Sequence, residues 1–306
     1  MVDLSVRVGD LSLVNPLILA SGTCGFGREL SEYLDFSRIG GISSKGLTLS
    51  EREGNPGCRV AETPAGMLNS VGLQNPGVHS FLLNELDYMN TLGTRVIVNV
   101  AGHSREDYVE MVELLGAEDR RIDALELNLS CPNVKEGCMS IGSDPKQVFS
   151  IVADLRRRTS KPLWVKLTPN VTSVAEIAVA AESAGADAVV LINTLLGMRI
   201  DIRTRRPVLT NNTGGLSGPA VRPVAVRMTA ECYRAVKIPV VGLGGVMTAE
   251  DVAEFMIAGA SAVQIGTATL LDPGIAGKIE SDLRVWAESQ GIERLADLTG
   301  TLQYYT

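Results

Sequence analysis

Histidine is scarce in this chain: only His79 and His103 occur among 306 residues. A histidine-rich metal centre or a histidine-based triad therefore has little material, and both residues are expected at the surface or in loops. The five cysteines, Cys24, Cys58, Cys131, Cys138 and Cys232, form no Cys-x-x-Cys pair, the spacing that holds zinc or iron–sulfur clusters. Their odd number, without a signal peptide, argues against a disulfide framework, and no metal site is expected. No run approaches the ~18 apolar residues needed to cross a membrane. The opening Met-Val-Asp-Leu-Ser-Val-Arg-Val-Gly alternates like a strand and lacks the apolar centre of a secretion signal. Positive charge is also short. The net charge of −7 argues against a general nucleic-acid partner, which would need a basic stripe. A cytoplasmic enzyme, off the membrane, is the expectation.

What the chain has is apolar material in short runs. Apolar residues make up 45% and charged residues 21%, enough for a large core and too apolar for disorder. Strands are expected at 16–20, 41–45, 95–101, 125–130, 163–168, 188–193, 238–243 and 262–266. Helical patterns separate them, as at 105–115, 145–158, 173–184 and 249–258. Several strands are nearly all apolar, as in Ala-Asp-Ala-Val-Val-Leu-Ile-Asn (186–193), which suits a sheet covered on both faces. Eight β/α alternations predict an α/β fold, a closed parallel (β/α)8 barrel in which 1–306 is a single domain. A hairpin at 4–14, turned at Gly9-Asp10, is expected to plug the barrel bottom. Long insertions, at 46–94 after strand two and 195–218 after strand six, are expected to serve function.

A barrel carries its chemistry at the C-terminal ends of its strands, so those ends are the places to look. They read Ser21-Gly22, Lys45-Gly46, Asn99, Asn128 with Cys131, Lys166, Asn193-Thr194, Gly244-Gly245 and Gly266-Thr267. Amides and two lysines thus converge on one mouth. Glycines after strands seven and eight let backbone N–H groups approach a phosphate, and Thr248 with Asp251 resembles a capping box opening the next helix. Lys166 lies in a strand, on the side of Trp164 and Thr168. A lysine inside a barrel needs either a carboxylate, such as Glu126, or a ligand that becomes anionic. The second reading is favoured, and a reduced flavin fits it. Cys131 ends a strand just before Pro132, which places a thiol at the site mouth.

These residues match a known pattern. Asn-Leu-Ser-Cys-Pro-Asn (128–133), Ser-Lys-Gly (44–46), Asn-Ser-Val-Gly-Leu-Gln-Asn (69–75), Ile-Asn-Thr (192–194) and Gly-Leu-Ser-Gly (215–218) resemble dihydroorotate dehydrogenase. The likeness runs on through Val-Gly-Leu-Gly-Gly-Val (241–246) and Gln-Ile-Gly-Thr-Ala (264–268). The resemblance implies one FMN per chain and oxidation of dihydroorotate to orotate in pyrimidine synthesis. Cys131 would take a proton from C5 while a hydride leaves C6 for the flavin. Lys45, Asn69, Ser70, Val71, Gly72, Leu73, Asn128, Asn133, Asn193 and Thr194 would hold the substrate. Ser21, Gly22, Lys45, Gly46, Asn99, Asn128, Lys166, Ile192, Gly218, Gly244, Gly245, Gly266 and Thr267 would hold FMN. The segment 134–143, with Gly137 and Gly142, would act as a lid over the substrate. Cys24, Cys58 and Cys232 are expected to be packing residues and Cys138 non-catalytic.

Within the family, membrane-associated members use a serine base, and fumarate-using homodimers follow Cys-Pro-Asn-Val with Gly-Lys-Pro-Gln. Here Lys135-Glu136-Gly137-Cys138 stands instead. The better resemblance is to the catalytic subunit of the NAD-linked type, in which a partner subunit carries FAD and a [2Fe–2S] cluster around a homodimer core, a heterotetramer. This chain lacks cluster spacing and a Gly-x-Gly-x-x-Gly fingerprint, so electrons would reach NAD only through that partner. A fumarate-using homodimer, a related pyrimidine-reducing flavin barrel and a non-redox phosphate-binding barrel are the alternatives.

Overall fold

The molecule is seen in a computed structural model that describes residues 2–116, 121–129 and 141–305. Eight parallel strands close into a barrel: Leu17–Leu19, Gly41–Ser43, Arg95–Val100, Ala124–Asn128, Leu163–Lys166, Ala188–Leu191, Val240–Leu243 and Ala260–Ile265. They are called strands one to eight. Each pairs in parallel with its neighbour in sequence, and strand eight pairs with strand one through Val263↔Leu17 and Ile265↔Leu19. The (β/α)8 architecture expected from the sequence is therefore present. Strands one, two, five, six and seven are buried at every position, because helices cover the outside and side chains fill the inside. Each Leu, Val or Ile so buried contributes roughly 1.5–3 kcal/mol relative to exposure.

Helices Arg105–Gly116, Pro145–Arg156, Val174–Ser183, Arg222–Ala235, Ala249–Ala258 and Ile275–Ser289 form the outer layer. Their starts follow local chemistry. The Asp144 carboxylate accepts the Lys146 N–H, with Pro145 opening the helix, and the Ser173 hydroxyl accepts the Glu176 N–H. Thr248 and Asp251 form the reciprocal capping box that their spacing suggested. One β/α unit departs from the pattern. Strands one and two are joined by the 3-10 turns Arg28–Leu30 and Phe36–Arg38. A left-handed Gly27, where a Cβ would lie 2.9 Å from Leu92 Cδ1, lets this short connection press against the core.

The N-terminal hairpin pairs Val6–Val8 with Leu11–Leu13. The Arg95 Nε–H donates to the Ser12 carbonyl at 3.1 Å, at the start of strand three. The hairpin thus closes the N-terminal end, opposite the mouth. The insertions hold more structure than the sequence suggested. Val60–Thr63 and Gly66–Asn69 from the first join Leu195–Gly197 and Gly214–Ser217 from the second in one antiparallel sheet. Gly215 pairs with both Leu196 and Asn69. Glycine-rich strands separated by more than a hundred residues carry no periodic signal of that pairing. Among the described residues, no helix is long and apolar enough to cross a membrane.

Candidate active site

Inside the barrel the core turns polar toward the C-terminal ends of the strands. Glu126, fully buried in strand four, is its centre. Its Oε1 accepts the Ser43 hydroxyl at 3.1 Å, the Asn99 Nδ2 amide at 2.6 Å and the Lys166 ammonium at 3.4 Å. Its Oε2 accepts the Gln264 Nε2 amide at 2.5 Å. Four other strands thus donate to one carboxylate. Lys166 therefore pairs with Glu126, the carboxylate that the sequence offered for it. The reason is the parallel pairing of strands four and five, which places Asn128 beside Lys166 in register and Glu126 on the same face as Lys166. Lys166 closes strand five, one of the strand ends at which polar residues were expected.

Lys45 is different. Burial, with Arg59 and Lys166 as neighbouring cations, holds its ammonium below the usual lysine range. No carboxylate among the described residues bonds to that ammonium, so this part of the mouth carries excess positive charge. Strand two resumes just beyond it, where the Leu47 N–H donates to the Asn99 carbonyl at 2.9 Å. Gly46 lies between, and a Cβ there would stand 2.9 Å from Asn99 Oδ1. That oxygen is buried and has no hydrogen-bond partner among the described residues, an acceptor turned toward the Gly46 turn.

The amides expected on the substrate are partly brought together. Asn193 Nδ2 donates to Asn128 Oδ1 at 3.4 Å, and Asn193 Oδ1 accepts the Thr194 N–H at 2.8 Å. The Tyr108 hydroxyl donates to the Asn128 carbonyl at 2.7 Å and fixes the end of strand four. Asn69 Nδ2 reaches the Gly215 carbonyl at 3.4 Å, and a Cβ on Gly215 would overlap Thr194. Asn69 and Thr194 therefore flank the same strand of the small sheet. Ser70, Val71, Gly72 and Leu73 follow Asn69 and are half-buried, with Gly72 and Leu73 at positive φ. Ser70 Oγ is another buried atom without a partner among the described residues.

The glycine-rich ends also converge. Thr267 Oγ1 donates to Ser217 Oγ at 2.8 Å. A Cβ on Gly245 would come 2.8 Å from the Gly218 carbonyl, and one on Gly218 would come 2.7 Å from Gly66 Cα. Gly218, Gly244 and Gly245 all have positive φ, so backbone approaches backbone where side chains could not fit. Gly266 and Gly22 stay open: a Cβ on Gly266 meets only Ala20 at 3.6 Å and Leu243 at 3.9 Å, and one on Gly22 meets nothing within 4 Å. The N-terminus of helix Ala249–Ala258 is already taken, because the Asp251 carboxylate accepts the Met247 and Thr248 N–H groups and pairs with Arg222. Ile192, after strand six, is buried and donates its N–H to the Leu243 carbonyl at 2.8 Å.

Cys131, Asn133 and Cys138 lie outside the described residues, as does most of the expected lid. The described chain brings Leu129, two residues before Cys131, to the end of strand four. There its carbonyl accepts the Gly142 N–H at 3.0 Å, so 129 and 142 meet at the mouth. Of the other thiols Cys24 and Cys232 are buried as expected, whereas Cys58, also expected to pack, is exposed. Cys24 donates to the Ala20 and Ser43 carbonyls, and burial pushes its thiol up to about 12, as it does that of Cys232. His79 is on an exposed helix face, and His103 contacts Arg52 and Asp107. The sequence reading missed Ser43, Gln264 and Ser217. Gln264 had one signal, a long amide within the apolar run Ala260–Ile265.

Polar groups brought by different strands to the C-terminal mouth of a closed parallel barrel define a barrel enzyme. A model of the dihydroorotate dehydrogenase family matches residues 3–286, and the chain belongs to that family. It is 50% identical over 300 residues to the protein named dihydroorotate dehydrogenase B (NAD(+)), catalytic subunit, of Geotalea uraniireducens (strain Rf4), covering 98% of each chain. Proteins of the same name from Bacteroides thetaiotaomicron (50%, over 99% of this chain and 100% of the relative) and Caldicellulosiruptor bescii (48%, over 98% and 99%) are similarly close.

Proposed function

We propose that this chain is the catalytic subunit of an NAD-linked dihydroorotate dehydrogenase, a single FMN-binding barrel that oxidises dihydroorotate to orotate in pyrimidine synthesis. The observation that carries this reading is the excess positive charge around Lys45, beside a buried amide oxygen, Asn99 Oδ1, without a hydrogen-bond partner among the described residues. A planar, carboxylate-bearing pyrimidine and an anionic cofactor both match that charge.

FMN fits the residues present. The open glycines Gly22 and Gly266 leave backbone accessible for its phosphate, and Gly218, Gly244 and Gly245 bring the strand ends around it close together. The unpartnered Asn99 Oδ1 suits a ring N–H, and Lys45 and Lys166 supply positive charge. Bound there, the flavin supplies the two-electron acceptor. The chain's own residues do the rest. Asn69, Asn128, Asn193 and Thr194 orient the pyrimidine through its amide and carboxylate edges. Lys45 offsets substrate negative charge. Cys131 removes the C5 proton, a role its position after strand four allows, and the segment that follows excludes water. Electrons leave toward NAD through a partner subunit bearing FAD and a [2Fe–2S] cluster.

An anaerobic titration of the FMN-loaded protein with dihydroorotate, followed by flavin absorbance, tests this. Bleaching by about one equivalent is expected. Cys131→Ser is expected to bind orotate yet bleach far more slowly at neutral pH, and an unchanged rate would remove Cys131 from the role of base. A yellow protein that dihydroorotate does not bleach would refute the substrate.

A further inference from the structure

We propose that Glu126 is a positioning residue for the flavin site: its carboxylate orients the Asn99 amide toward the mouth and sets how much of the Lys166 charge the flavin ring experiences. This rests on the proposed FMN reading of the site. A carboxylate and an ammonium, both at most 5% exposed, are costly inside a barrel, and an apolar layer would fill the same space without that cost. The barrel interior is otherwise branched and aliphatic, as such interiors usually are.

The hydrogen bonds explain what the charge accomplishes. Asn99 and Gln264 each turn their NH2 group to Glu126, at 2.6 and 2.5 Å. Their carbonyl oxygens, Asn99 Oδ1 and Gln264 Oε1, are left buried without a partner among the described residues. Glu126 therefore selects, for both amides, which end is free. At Asn99 the free acceptor faces Gly46 at the mouth. Lys166 makes the longest of the four contacts, 3.4 Å, on an oxygen it shares with Ser43 and Asn99. Part of its charge is thus offset from below while the ammonium stays within the strand-end layer. Positive charge near the flavin pyrimidine favours the reduced, anionic ring, so removing the carboxylate should raise the flavin potential and removing the lysine should lower it.

The test is the midpoint potential of bound FMN in the full chain. Glu126→Gln keeps the shape and removes the charge. It is expected to raise the ratio of reduced-to-oxidised FMN affinity at least tenfold, an upward shift of about 30 mV for a two-electron couple. Lys166→Met is expected to shift the potential downward, and Glu126→Gln to raise it less in the Lys166→Met background than in wild type. Should Glu126→Gln fail to fold, Lys166→Met alone decides: an unshifted potential would mean Glu126 already cancels the lysine, which overturns the proposal. A Glu126→Gln protein that melts earlier but keeps the wild-type potential would make Glu126 merely structural and also overturn it. Those failures leave a normal flavoprotein. Failure of the FMN reading itself would instead show as a wild-type chain that takes up no FMN.

Discussion

Replacing Gly215 by alanine isolates the geometry of the proposed substrate site. The new Cβ would stand 2.0 Å from Thr194 Oγ1 and 2.6 Å from Thr194 Cβ. Rotation about χ1 could move the hydroxyl aside, but Thr194 Cβ is fixed to the backbone and does not move with it. Ordinary contact begins near 3.4 Å, so backbone must give by about 0.8 Å. Gly215 is held on both sides by ladder pairing to Leu196 and Asn69. The shift must therefore pass to the segment carrying Thr194 or to the one carrying Asn69, and both residues are proposed to hold the pyrimidine. A misplacement of about 1 Å can cost about 100-fold in rate, equivalent to roughly 2.7 kcal/mol of lost transition-state stabilisation. We expect kcat/KM for dihydroorotate to fall on the order of 100-fold, with a weaker Kd for orotate. FMN content and the barrel melting transition should change little, since Gly215 lies in the small sheet and Thr194 in the segment that leads into it, both outside the barrel strands. Steady-state assays with an artificial acceptor, orotate titration and flavin absorbance read these separately. A kcat/KM within about threefold of wild type in a folded, FMN-loaded Gly215→Ala protein would refute the placement of Thr194 and Asn69 on the substrate.

Gly266→Ala should leave the apo melting temperature unchanged, because its Cβ meets only Ala20 and Leu243 at ordinary distances. It should weaken FMN binding about tenfold or more by intruding on the open turn, and unchanged FMN affinity would count against a phosphate there. Alkaline stability should depend on Cys24. Burial raises its thiol from 9.0 to about 12, so between those values the unfolded chain has lost a proton the folded chain keeps. Stability is then fully present below about pH 9 and lost as pH rises toward 12, by about 1.4 kcal/mol at pH 10. Thermal melts of Cys24→Ala against wild type at pH 8 and 10 should show a shallower loss in the variant, and parallel losses would contradict the buried thiol.

Much of the barrel was legible because burial on both faces leaves a strong local mark. Runs such as Ala188–Leu191 and Val240–Leu243 are apolar at consecutive positions, and each ends abruptly in a polar or glycine step. That step alone marks Lys45, Asn99, Asn128 and Gly244 as strand-end residues. Strand lengths were overestimated at several ends, as at 163–168 against Leu163–Lys166, because apolar character continues after ladder pairing stops.

The sequence by itself, then, determined the parallel barrel, its order and which residue types reach the mouth, since those follow from neighbours along the chain. Only the tertiary structure decided how those residues are partnered. Pairing of strands four and five brought together a carboxylate and an ammonium forty residues apart. Folding likewise paired Gly66–Asn69 with Gly214–Ser217 across more than a hundred residues, and left Lys45 without a carboxylate of its own among the described residues. Charge compensation and antiparallel pairing depend on distances in space, and those distances arise only when the chain folds.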